Sequence, residues 1–231
     1  MMCKRILFIF IFLVSISSKA SFILLPMDET TQQNHLKAYG ITYWCLAKNY
    51  KASWLLNYRG GSFLLPDAEE IRKECQIRGV SFEVISDAEE TSILNEISSP
   101  SQNMEAVILE KAPKIAVYTP KGKQPWDDAV TLALTYAEIP YDIIYDEEIV
   151  QGKLALYDWM HLHHEDFTGQ YGKFYNMYRN ATWYQEQQRS MESMAKQLGF
   201  AKVSQMKLAV AKRIKEFVAG GGFLFTMCSG T

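Results

Sequence analysis

Lys114-Ile115-Ala116-Val117-Tyr118, running into Thr119-Pro120-Lys121-Gly122, reads as a short buried strand followed by a loop. Downstream, residues 126–137 form a helical pattern with Val130, Leu134 and Ala137 on one face. Tyr141-Asp142-Ile143-Ile144-Tyr145 is the next strand, and Asp146-Glu147-Glu148 opens a short helix. Residues 154–162 give a third strand. After an aromatic-rich insert, residues 203–218 read as a helix with Met206, Val210, Ile214 and Phe217 near helical spacing. Gly220-Gly221-Gly222 ends it, and Phe223-Leu224-Phe225-Thr226-Met227 is a fourth strand. Strands alternating with helices of this length predict an α/β fold: a parallel sheet covered by helices on both faces. Ligands of such sheets sit beyond the carboxyl ends of the strands.

Upstream the pattern is similar. Phe22-Ile23-Leu24-Leu25 is a strand. Residues 35–48 form a helix with Leu36, Tyr39, Tyr43 and Leu46 on one face. Residues 54–58 form a second strand, and Arg59-Gly60-Gly61-Ser62 a turn. Asp67 is placed as the N-cap of a helix that Gly79 stops. Residues 80–85 form a third strand, and Asp87 caps another helix. Ser98-Ser99-Pro100-Ser101-Gln102-Asn103 resembles a linker, which divides the chain into an N-terminal α/β region at 21–110 and a second α/β domain at 111–231. The last strand ends close to Thr231 with no covering helix after it, so the second domain is expected to be incomplete.

At the N-terminus, Lys4 and Arg5 precede an apolar run, residues 6–14, and then Ser18-Lys19-Ala20. This is a secretory signal at residues 1–20 with cleavage expected after Ala20, which places the mature protein in the periplasm or outside the cell. The run is too short to span a bilayer, and no second one is long enough. A net charge of −2 gives no pull toward nucleic acid or anionic lipid. Of the 4 cysteines, Cys3 leaves with the signal. Cys45 and Cys75 fall in helical apolar patterns, where core packing competes with a disulfide.

Chemistry gathers at two places. Cys228 follows an apolar strand and precedes Ser229-Gly230-Thr231. A nucleophile on a tight turn after a strand is exposed there, beside backbone N–H groups that stabilise an oxyanion. The same position suits a cysteine that merely ends a core strand. His161, His163 and His164 lie at the end of the third strand, followed by Glu165 and Asp166. Period two puts His161 and His163 on one face, where they suit a base beside Cys228. With Glu165 they also make a weaker divalent-metal set, without regular ligand spacing. Hydrogen-bonded histidines at a polar strand end are the structural alternative. No cofactor motif is complete. Lys121-Gly122-Lys123 is placed to meet an anion but lacks the full glycine-rich phosphate pattern, and so reads as a solvated loop. The aromatic insert, residues 167–184, suits packing over the sheet edge, or a surface for a small molecule, a peptide or a glycan.

Phe217-Val218-Ala219-Gly220-Gly221-Gly222, the strand after it and Cys228-Ser229-Gly230 resemble the class I glutamine amidotransferase-like fold, a flavodoxin-like arrangement. The resemblance covers about half the chain and implies hydrolytic or amidotransferase chemistry at Cys228. The usual His and acidic partners of that family follow the cysteine, which here puts them beyond Thr231. Asn34-His35-Leu36-Lys37-Ala38-Tyr39-Gly40, residues 54–63 and residues 161–172 are similar to a family of exported bacterial proteins commonly labelled asparagine synthetase B. The residues do not carry the label's chemistry. Cys3 lies inside the signal, and Ser229-Gly230-Thr231 has Thr where the ATP loop of such enzymes has its second Gly. A non-catalytic envelope binding or assembly module on the same fold is the remaining alternative.

Overall fold

A computed structural model describes residues 21–120, 129–162 and 177–227. The expected cleavage segment, residues 1–20, lies outside the described residues, as do residues 121–128.

The N-terminal strands form a five-stranded sheet in the order β4-β1-β3-β2-β5. They are β1 (Ser21–Leu25), β2 (Ala52–Leu56), β3 (Phe63–Pro66), β4 (Glu83–Ser86) and β5 (Glu105–Leu109). Every pairing in this sheet is antiparallel, unlike the parallel sheet that the alternation of strands and helices predicts for the second domain. The reason is local. Phe63-Leu64-Leu65-Pro66 is a strand of only four residues, uniformly apolar because both of its faces are covered, and so it shows no alternation. It forms a hairpin with β2. The turn between them folds back through positive φ at Asn57 (61°), Arg59 (44°), Gly60 (80°) and Gly61 (91°). Arg59 pins this turn: its Nη1 and Nη2 donate to both carboxylate oxygens of Glu83 at 2.9 and 2.8 Å, and its Nε donates to Asp28 at 3.1 Å. Hydrogen bonds from Thr30 and Thr31, with a smaller contribution from that guanidinium, hold the Asp28 carboxyl well below the usual range.

Helices α1 (His35–Ala47) and α2 (Glu69–Arg78) cover one face of this sheet, and α3 (Asp87–Ile97) covers the other. Gly79 stops α2 in a left-handed conformation, as expected. The caps shift by one residue. Ala68 precedes α2, because Asp67 is taken up by Arg72 and by the Ser21 hydroxyl. Ser86 caps α3 in a reciprocal box with Glu89. Cys45 and Cys75 are free, fully buried thiols in the layer between α1, α2 and the sheet.

The second sheet is parallel, in the order β7-β6-β8-β9. Its strands are β6 (Ile115–Tyr118), β7 (Tyr141–Ile144), β8 (Trp159–Leu162) and β9 (Phe223–Thr226). The expected third strand starts late, because Lys153–Leu156 winds as a 3₁₀ turn. Helix α4 (Ala129–Ala137) packs on Ile115 and Val117. On the opposite face lie α5 (Asp146–Val150), α6 (Thr182–Gln197) and α7 (Val203–Ala219). The protein is thus α/β, with a parallel four-stranded sheet between helices, compatible with a flavodoxin-like fold. No helix among the described residues is long and apolar enough to cross a membrane.

The two sheets are joined where α1 packs on α4. Gly40 sits against the carbonyl of Ala137, Tyr43 OH donates to Pro113 O at 3.0 Å, and Glu138 pairs with Lys37 and Arg78.

Candidate functional site at the carboxyl edge of the parallel sheet

Four strand ends define this edge: Tyr118, Ile144, Leu162 and Thr226. The register runs Val117↔His161↔Phe225 and Tyr118↔Leu162↔Thr226, so β8 and β9 end level and side by side. Met227 N–H then donates to Leu162 O at 2.9 Å and continues the ladder one step. Thr119 N–H donates to Ile144 O at 3.2 Å in the same way on the other side.

Of the residues singled out in the sequence, His161 is placed and Cys228, His163 and Glu165 lie outside the described residues. His161 is buried at 3 % exposure. Its ring stacks on Phe225 with centroids 5.4 Å apart and 20° between planes, and Trp159 approaches edge-on at 6.4 Å. Alternation puts His161 on the α4 side of the sheet with Val117, rather than on the side of α7. Among the described residues no three His, Cys, Asp or Glu side chains gather as a metal set. Lys121, Gly122 and Lys123 lie outside the described residues, as does the insert up to residue 176. Its last part enters α6, where Tyr184 is buried and Trp183 stays 55 % exposed.

The edge also holds a cluster that sequence reading missed. Asp146, at the start of α5, is fully buried. Its Oδ1 accepts from Tyr118 OH at 2.5 Å, and its Oδ2 faces Lys207 Nζ at 2.6 Å. Lys207 Nζ also donates to Tyr118 OH at 2.8 Å and lies over the Tyr145 ring, 4.8 Å from its centroid. A buried charge is tolerated only with such partners. The cluster ties three elements, β6, α5 and α7, at the strand ends. Its sequence signal is present in retrospect: Val203, Lys207, Val210, Ile214 and Phe217 recur at spacings of a helical apolar stripe, with the lysine inside the stripe.

Beside the cluster is a cavity of about 190 Å³ lined by Pro120, Tyr145, Glu148, Gln187, Ser190 and Met191, among others. Thr119 Oγ1 is buried at the same edge without a hydrogen-bond partner among the described residues. The arrangement gives a rigid, partly polar floor at the place where parallel sheets bind ligands. No family model, curated protein or solved structure matches the chain.

Proposed function

We propose that this is an exported amidotransferase-like protein that uses Cys228 as a nucleophile in amide hydrolysis or transfer. The reading is supported by one observation above the others: β8 and β9 are adjacent, parallel and level at their carboxyl ends. The chain continues from β8 into His163-His164-Glu165 and from β9 into Cys228-Ser229-Gly230. Neighbouring strands lie about 4.8 Å apart, within reach of a thiol–imidazole hydrogen bond. In this chemistry the imidazole takes the thiol proton and the thiolate attacks the amide carbonyl. The C–N bond breaks with that proton passed to the leaving amine, and water or an acceptor amine cleaves the thioester. His161 backs the edge from its stack on Phe225. On β9 itself, Phe223 stands 60 % exposed and Phe225 44 % exposed. The reading also keeps the periplasmic or secreted location implied by the first 20 residues.

Cysteine alkylation tests it. Burial pushes the Cys45 and Cys75 thiols up to about 12, so both are built-in references of low reactivity. Iodoacetamide near neutral pH, read by peptide mass mapping on the folded chain, is expected to modify Cys228 at least tenfold faster than either. Equal rates at the three cysteines sink the nucleophile.

A second reading, a non-catalytic envelope binding module, has an observation of its own. An aromatic cleft of about 420 Å³ lies between the two sheets, away from the strand ends discussed above. The asparagine synthetase label finds no support in the residues.

A further inference from the structure

Strand β5 is the last strand of the antiparallel sheet and pairs only with β2, from Ala52↔Leu109 to Leu56↔Glu105. Among the described residues, no other backbone hydrogen bond involves the main chain of Glu105–Leu109. Its outward N–H and C=O groups are therefore open. Natural edge strands are blunted by charges, above all lysine, by proline, by a bulge or by being short, and the one charge on β5, Glu105, stands at its first residue. Glu105-Ala106-Val107-Ile108-Leu109 carries no proline or lysine, and Ile108 stands 73 % exposed.

The aromatic cleft opens at this edge. Ile108 and Leu109 point to opposite faces of the sheet by alternation, yet both line the cleft, so it reaches round the rim of β5. Its walls are fixed. Trp54 Nε1 donates to Gly61 O at 3.0 Å, and Tyr43 OH is held by Pro113 O. Tyr39 meets Phe63 edge-to-face at 5.3 Å while remaining 44 % exposed. Trp159 closes the side nearest the parallel sheet.

We propose that the β5 edge and this cleft together form a peptide-binding site. An extended segment of a partner protein adds to β5 as a sixth strand, and one large apolar side chain of that segment fills the cleft. Main-chain hydrogen bonds along the edge supply affinity for extended backbone, and the aromatic pocket supplies the side-chain preference. An open edge selects a strand, which a rigid small molecule cannot imitate along its length. The proposal rests on the binding-module reading and needs no chemistry at Cys228, so failure of the alkylation test leaves it standing.

The test uses a displayed library of random nonapeptides selected on the intact chain, with the leading sequence resynthesised and its binding measured by calorimetry. The selected sequences are expected to share one aromatic or large aliphatic residue flanked by alternating small residues. Methylating the backbone nitrogens on alternate residues of the peptide should weaken binding at least tenfold in one of the two registers. Ile108→Lys, which puts a charge on the edge at an exposed position, should weaken it at least tenfold. Tyr39→Ala should do the same through the cleft. Val84→Lys, on the opposite edge strand β4, should leave it unchanged. The proposal is overturned if no sequence is enriched, or if N-methylated peptides in both registers bind as tightly. It is also overturned if Val84→Lys weakens binding as much as Ile108→Lys. A chain that dimerises by itself, and stops doing so on Ile108→Lys, assigns the edge to a second copy instead.

Discussion

The Lys207→Met chain is expected to lose about 3–5 kcal/mol of stability, a drop in thermal midpoint of roughly 6–20 °C. Methionine matches the length of the lysine stem and keeps an apolar chain beside the Tyr118 and Tyr145 rings, but it leaves the Asp146 carboxylate at 0 % exposure opposite Tyr118 alone. An unpaired buried charge carries most of that cost. The double change Lys207→Met with Asp146→Leu removes both charges and should recover at least half of the loss, because apolar replacement of a buried pair is often near neutral. Urea unfolding of the single and double variants measures both effects. A single variant within about 1 kcal/mol of the parent shows that the cluster does not hold the strand ends.

Gly40→Ala should also destabilise, against the trend for its position. Gly40 lies inside α1, where alanine normally adds about 1 kcal/mol through helix propensity. Here a Cβ would stand 1.8 Å from the carbonyl oxygen of Ala137 on α4. Backbone cannot rotate aside as a side chain does, so the helices must separate. The expected net loss is about 1–3 kcal/mol, the range for overpacked interiors. Gly79→Ala is the comparison: no atom lies within 4 Å of its Cβ position, and its φ of +66° leaves only the left-handed penalty of about 1–2 kcal/mol. A Gly40→Ala chain more stable than the parent contradicts the α1–α4 contact.

The parallel half was legible because its strands are short buried runs separated by helices with a clear apolar stripe. Ile115–Tyr118 and Phe223–Thr226 are found where the pattern put them. The antiparallel half was not, because topology depends on β3 and β5. The first is four uniformly apolar residues, and the second follows a polar stretch that reads as a linker. Helix α6 was hidden for a different reason: its aromatic and polar composition reads as an extension of the insert. In the candidate site, the pattern supplied Cys228 and the histidines but passed over Lys207. A lysine within an apolar stripe is usually a solvated stem, and only the three-dimensional approach of Asp146 and Tyr118 makes it a buried charge.

The proposed nucleophile has its most direct test in the pH dependence of Cys228 alkylation, followed by peptide mapping from pH 5 to 10 in the parent chain and in His163→Ala. A neighbouring imidazole or the N–H groups of the turn favour the thiolate, so reactivity should appear at lower pH than for an ordinary thiol. The parent is predicted to show an inflection below the roughly 8.5 of a free cysteine, and His163→Ala to move it upward. An inflection at or above that value in both chains contradicts the nucleophile.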